Sequence, residues 1–106
     1  LLIIMLVTHL QNFLSESLRM YPSFSANLRI CSKKFNFSNF IVPEGKTVII
    51  PVCGFHRDPI YFPEPNKFDP ERFNSEKSRQ PFTYLPFGIG QRACIGNLSF
   101  VFLIRL

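Results

Sequence analysis

Four prolines within twelve residues, Pro59, Pro63, Pro65 and Pro70, constrain this chain more than any other feature. Each lacks a backbone N–H and fixes φ, so neither a long helix nor a central strand can pass through the segment. Residues 55–79 are therefore expected to form an ordered meander, kept in place by Phe62, Phe68 and Phe73. Regular structure is left to the flanks. Upstream, Leu10, Phe13, Leu14, Leu18 and Tyr21 recur at helical spacing and Pro22 ends the pattern, which predicts a helix over residues 8–20. Glu16 and Arg19, three apart, meet on the face roughly opposite that apolar stripe, where the pattern alone predicts a solvated ion pair. Between residues 28 and 51 the period changes. Arg29-Ile30-Cys31, residues 35–42 and residues 47–50 are rich in β-branched or aromatic side chains, and Val42-Pro43-Glu44-Gly45 has the make-up of a type I turn. The expectation is a mainly α chain with a small β-sheet, including a hairpin across that turn.

Composition narrows the classes further. Apolar residues make up 46% of 106 residues and thirteen are phenylalanine, so the chain is not composed like a disordered segment. Thirteen phenylalanines are many to hide in so small a body, which points to missing neighbours. The net charge of +5 is spread among acids and not gathered into one run, which gives little support to a nucleic-acid or polybasic membrane surface. Cys31, Cys53 and Cys94 contain no C-x-x-C pair, so neither a disulfide framework nor a cysteine-rich zinc site is indicated. The apolar run over residues 1–7 is too short to span a bilayer and lacks the features of a signal peptide. Both ends read as cut within apolar stretches, so a fragment is expected.

The chemistry concentrates in Phe87-Gly88-Ile89-Gly90-Gln91-Arg92-Ala93-Cys94-Ile95-Gly96. Glycines let backbone approach a bound group closely, and an arginine near a thiol favours the thiolate that binds metals or attacks electrophiles. Residues 95–106 read as the start of an apolar helix, whose dipole would favour an anion at Cys94. An isolated cysteine of this kind is also compatible with an inert buried turn. Gly88-x-Gly90-x-x-Ala93 meets the loose dinucleotide fingerprint, but Pro86 interrupts the strand that motif requires. A cysteine nucleophile would need a placed histidine; His9 and His56 have no recognisable partner motif.

Four stretches occur in order: Glu16-Ser-Leu-Arg19-Met-Tyr-Pro22, His56-Arg57-Asp58-Pro59, Phe68-Asp-Pro-Glu-Arg72-Phe73, and the loop over residues 87–96. Together they resemble the C-terminal third of a cytochrome P450, a haem-thiolate monooxygenase, of the microsomal animal branch and insect-like in flavour. The likeness covers about residues 10–96, which makes residues 1–106 a partial domain comprising a helix, a β-hairpin sheet, a proline-rich meander, the cysteine loop and a truncated final helix. The resemblance implies haem b with Cys94 as the axial thiolate, the ligand that pushes electron density toward iron-bound oxygen. It implies that Phe87 packs beside the thiolate, that Gly88 and Gly90 turn the loop, and that Gly96 permits close approach to the ring. Arg92 and Arg29 correspond to arginines that pair with haem propionates. Glu16, Arg19 and Arg72 correspond to a buried triad, against the solvated pair that the pattern predicts. His56 is assigned packing or a hydrogen bond, not ligation, and residues 23–27 correspond to a segment lining the substrate pocket.

For the intact parent, the resemblance implies a small apolar substrate, O2, electrons from an NADPH-dependent reductase, and no nucleic acid. It also implies attachment to the endoplasmic reticulum membrane, on the cytosolic face, through an N-terminal anchor that this sequence does not contain. Some positions depart from the pattern: Gln91 stands where proline is common, Ser99 occupies an apolar position, and no acid follows Gly96. The long central helix with its oxygen-activating acid–alcohol pair is also not in this sequence. Two functional expectations follow, a monooxygenase that inserts one oxygen atom into an apolar substrate, or a truncated remnant with no independent activity.

Overall fold

The computed structural model describes residues 2–74, 80–97 and 99. Helix α1 spans Leu2–Met20. It begins earlier than the periodicity predicts, because the run before Thr8 holds no glycine or proline and propagation along it costs little. Tyr21 still donates its N–H to the Ser17 carbonyl at 2.8 Å before Pro22 forces the chain out of the helix.

Four short strands follow: β1 (Asn27–Ile30), β2 (Phe35–Phe37), β3 (Phe40–Val42) and β4 (Thr47–Ile50). They form two separate antiparallel ladders, β1 with β4 and β2 with β3. Phe37 faces Phe40 and Phe35 faces Val42 across the inner ladder, while Asn27 faces Ile50 and Ile30 faces Thr47 across the outer one. The expected hairpin across residues 42–45 is thus replaced by a tighter one at Ser38-Asn39, nested inside the β1–β4 pair. The turn that precedes β4 is also one residue later than its composition suggested. Lys46 donates to the Pro43 carbonyl at 3.3 Å and Gly45, third in the turn, has a φ of 76°. A positive φ at the third position is what a type II turn requires and a type I turn lacks, and glycine adopts it without strain.

A short helix, α2 (Val52–Arg57), leads into the meander, which contains a 3-10 turn at Pro70–Phe73, and a further 3-10 turn lies in the cysteine loop at Gly90–Arg92. Asp69 caps the first of these by accepting the Glu71 N–H, with Pro70 at the first helical position where its missing donor costs nothing. The expected final helix contributes only residues 96 and 97 and Ser99 to the described region; the remainder lies outside it.

The buried apolar core among the described residues is small: Val52, Phe62, Phe73 and Leu85. Phe68 is partly exposed but meets Phe13 edge-on, with ring centroids 5.2 Å apart. Helix α1 packs the unexpected way round. Its apolar residues Leu10 and Phe13, like Tyr21 just beyond its end, are exposed and Leu14 and Leu18 half-buried, whereas Asn12, Glu16 and Arg19 face α2 and the 70–73 turn and are buried. Phe62 lies under the Arg19 guanidinium, whose central carbon is 5.4 Å from the ring centroid, and joins that polar face to the apolar core. Phe62→Ala is expected to destabilise the fold by about 3–5 kcal/mol. Phe24→Ala, at an exposed position, should change stability by no more than about 0.5 kcal/mol. Urea unfolding of both variants measures the difference.

Candidate functional site

The centre of the site is one carboxylate. Glu16 Oε2 accepts from Arg19 Nε at 2.7 Å and Oε1 from Arg19 Nη2 at 2.8 Å, a two-pronged pair in which both side chains are wholly buried. Oε1 also accepts from Arg72 Nε at 3.2 Å and from the Asp69 backbone N–H at 2.9 Å. Helical spacing puts Glu16 and Arg19 on one face of α1, and the capped 70–73 turn delivers Arg72. Burial by itself would raise the Glu16 carboxyl pKa. The hydrogen bonds from Arg19 and Asp69, with the charges of Arg19 and Arg72, outweigh it and hold the carboxyl below its ordinary value.

Two guanidiniums around one carboxylate leave donors over, and these go to carbonyls of the proline-rich meander. Arg19 Nη1 donates to the His56 carbonyl at 2.7 Å and Nη2 to that of Pro65 at 2.9 Å. Arg72 Nη1 donates to Pro63 at 2.9 Å. Prolines cannot take part fully in a ladder, so their segment needs donors from elsewhere, and the forked guanidinium supplies several from one fixed group. Every buried side-chain nitrogen and oxygen among the described residues has a partner.

His56 extends this network. Its Nε2 lies 2.8 Å from the Leu85 backbone N–H and its Nδ1 3.2 Å from the Arg19 carbonyl. Because an N–H only donates and a carbonyl only accepts, Nε2 is bare and Nδ1 carries the proton. The ring is wholly buried and stacks on Tyr84 at 5.3 Å, and the Tyr84 hydroxyl donates to the Ser15 carbonyl at 2.9 Å. Burial chiefly, with the Arg19 charge, pushes the His56 pKa down to about 4, against a smaller opposing effect of its bond to the Arg19 backbone.

The cysteine loop begins directly after Leu85. Gly88 N–H donates to the Leu85 carbonyl at 3.2 Å, Ala93 to Gly90 at 3.0 Å, and Cys94 to the Phe87 carbonyl at 2.8 Å. Gly88 and Gly90 have φ values of 69° and 78°, a region open to glycine at no steric cost. Cys94 is a free, exposed thiol, and a Cβ built on Gly96 would sit 3.6 Å from its Sγ, an ordinary contact distance. Arg92 is exposed on the 90–92 turn. Arg29 lies on β1 and donates to its neighbour's carbonyl, that of Leu28, at 2.8 Å. It lines a cleft of about 270 Å³ with Asn27, Ile50, Phe55, Phe82, Leu85, Gly88 and Ile89. The structure thus brings Glu16, Arg19 and Arg72 into one knot and sets Phe87, Gly88, Cys94 and Gly96 in one loop. Arg29 reaches the loop only across the cleft. Phe82, at a φ of 66° and largely exposed on the cleft wall, had no signal in the sequence beyond its aromatic type.

The sulfur is a single donor. Among the described residues no three His, Cys, Asp or Glu side chains come together to hold a metal ion. A metal at Cys94 would take its other ligands from outside these side chains, and the apolar cleft wall with Arg29 beside it suits a flat apolar ring bearing carboxylates.

The two titratable groups of the network give an acid signature. Unfolded His56 takes a proton near pH 6.5, whereas the folded ring resists it until about pH 4. The unfolded state therefore binds more protons in that window, and stability is expected to fall as pH drops through it, by about 2–3 kcal/mol. Glu16, lowered in the fold, adds a further loss below its unfolded value of 4.5. His56→Gln should remove the first component only. Urea midpoints followed from neutral pH to about pH 4 test this; a flat profile above pH 4.5 would exclude a neutral buried His56.

Comparison with known proteins gives one consistent result. The family model described as Cytochrome P450 matches residues 4–98. The "Probable cytochrome P450 9f2" of Drosophila melanogaster is 48% identical over 100 residues, covering 89% of this chain and 19% of the relative. "Cytochrome P450 3A16" of Mus musculus is 44% identical over 95 residues, with 88% and 19% covered, and "Cytochrome P450 3A41" of the same species is 42% identical over 102 residues, with 94% and 20% covered. The chain therefore spans about a fifth of the length of the curated relatives it matches. With a matched span that takes in the Glu16 knot, the meander and the cysteine loop, the chain belongs to the cytochrome P450 family.

Proposed function

We propose that this chain forms the cysteine side of a haem-dependent monooxygenase, with Cys94 as the axial thiolate of haem b. Family membership supports the reading, and one observation carries it: Cys94 is an exposed lone thiol in a glycine turn, its backbone fixed by the 2.8 Å bond to the Phe87 carbonyl. One protein sulfur would suit a metal whose other ligands come from a macrocycle. When bound, haem supplies the activation of O2 that places one oxygen atom in an apolar substrate.

The residues of the chain hold and tune that group. Gly88 and Gly90 fold the loop so that the sulfur is presented, and Gly96 keeps the space beside Sγ free of a side chain. Phe87 packs beside the sulfur and limits access of water. Backbone N–H groups at the turn after Cys94 favour the anionic form. Arg92 and Arg29 give planar two-donor partners to the propionates, Arg29 from the cleft wall. The knot of Glu16, Arg19 and Arg72 keeps the meander and the loop in register.

In this reading residues 1–106 are part of one catalytic domain whose whole takes electrons from an NADPH-dependent reductase docked near the cysteine loop. Its substrate is a small apolar molecule, nucleic acid has no part, and the whole protein sits on the cytosolic face of the endoplasmic reticulum membrane. Among the described residues no helix is long and apolar enough to cross a membrane. These partners and this location rest on the family alone.

A full-length chimera provides the test, with residues 4–98 replacing the aligned segment of the Drosophila relative. Reduced and exposed to carbon monoxide, it is expected to show a strongly red-shifted Soret band that Cys94→Ser abolishes; an unshifted band in the parent chimera overturns the thiolate assignment. Arg72→Ala should lower haem content per protein by about tenfold or more, since it leaves a buried carboxylate and meander carbonyls short of donors. Unchanged haem content would remove the knot from cofactor binding. The 106-residue chain expressed alone with haem separates an independent thiolate site from a truncated remnant: a red-shifted band that Cys94→Ser abolishes supports the first and no haem retention the second.

A further inference from the structure

We propose that His56, as the neutral Nδ1–H tautomer, is a positioning residue that sets the register of the segment entering the cysteine turn and thereby the place of the Cys94 sulfur. The inference rests on the haem-thiolate reading and assigns it a residue outside the loop, far along the chain from Cys94.

The connection is short and made of backbone. His56 Nε2 accepts the buried Leu85 N–H at 2.8 Å. The carbonyl of the same residue accepts from Gly88 N–H at 3.2 Å, and the carbonyl of Phe87 accepts from Cys94 N–H at 2.8 Å. The ring therefore holds the first peptide of a turn whose last carbonyl holds the cysteine. On the other side His56 is tied twice to α1, once through its ring and once through its backbone carbonyl. Nδ1–H donates to the Arg19 carbonyl at 3.2 Å, and Arg19 Nη1 returns a bond to the His56 carbonyl at 2.7 Å. Tyr84 stacks on one face at 5.3 Å and Phe62 meets the ring edge-on at 6.2 Å, so the imidazole cannot turn to exchange its nitrogens.

Packing alone does not account for this arrangement. A leucine would fill much of the volume, but the Leu85 N–H would then be buried without an acceptor, a state that native structures avoid. The relief open to the chain is to rotate the peptides from Leu85 to Phe87, and that rotation moves the carbonyl to which Cys94 is tied. A sulfur displaced in this way is a poorer axial ligand even in molecules that still bind haem. No titration is required for the effect; the geometry needs only an acceptor at the Nε2 position.

Three substitutions in the full-length chimera separate the possibilities. His56→Gln places a carbonyl oxygen within reach of Leu85 and preserves the acceptor. His56→Asn reaches only the Nδ1 position, keeping the link to Arg19 and losing the one to Leu85. His56→Leu loses both. The quantity read is the share of carbon monoxide-bound haem in the red-shifted band, normalised to total haem, which a packing residue would leave unchanged while total haem fell. The glutamine variant is expected to keep most of the parental share, and the asparagine and leucine variants to lose it several-fold to an unshifted band. An unchanged share in the asparagine and leucine variants overturns the proposal, as does a glutamine variant no better than asparagine. Failure of all three to take up haem also overturns it, since His56 would then serve the fold and not the loop. A parent chimera without the red-shifted band fails the haem-thiolate reading itself and the inference with it, whereas a normal parent with unaltered variants fails the inference alone.

Discussion

The Glu16 carboxylate is the group on which the rest depends. It is wholly buried, and an unpaired carboxylate in that position would be expelled or protonated. Four donors keep it charged: Nε and Nη2 of Arg19, Nε of Arg72 and the Asp69 N–H. Two of these donors come from Arg19 on the same helix and two from Asp69 and Arg72 at the 70–73 turn, so the charge is fully satisfied only when helix and turn have come together. Removing one partner of such a pair costs about 3–5 kcal/mol, a large part of the 5–15 kcal/mol by which domains are stable. A polar knot here decides register more sharply than apolar contact does, because apolar contact is non-directional.

The shortage of apolar core makes that sharpness necessary. Val52, Phe62, Phe73 and Leu85 are the buried hydrophobics among the described residues, while Phe24, Phe35, Phe37, Phe40 and Phe82 are exposed. On α1 Leu10 and Phe13 are exposed and Leu14 and Leu18 only half-buried, while the polar face is turned inward. Order in the proline-rich segment comes instead from guanidinium donors placed on carbonyls that have no ladder to join, at His56, Pro63 and Pro65. From there the His56 ring carries the same order to Leu85 and so to the cysteine turn.

The sequence revealed the elements more readily than their partners. Pro22 and the leucine spacing marked the end of α1, and the prolines marked the meander, because both act through local sterics. The β1–β4 pairing was hidden because two short apolar runs flanking a third can pair in several ways, and the choice was made by the tight Ser38-Asn39 turn and by Gly45. Helix α2 is six residues long, too short to leave a period. Periodicity misplaced Glu16 and Arg19 because it assumes that the apolar face is the buried one; motif resemblance pointed to their burial, and the geometry explains it through the number of donors available. The two-sided bonding of His56 left no trace in the sequence, since it requires Leu85 and Arg19 to converge from 29 residues downstream and 37 upstream.

Amide hydrogen exchange in the Glu16→Gln variant of the full-length chimera, read at Asp69, Leu85 and Cys94, tests the dependence of the loop on the knot most directly. If one carboxylate governs the whole arrangement, all three amides lose protection together, by about tenfold or more, because they then open through a single weakened unit. Loss of protection at Asp69 with unchanged protection at Leu85 and Cys94 would show that the cysteine loop is held independently, and would contradict it.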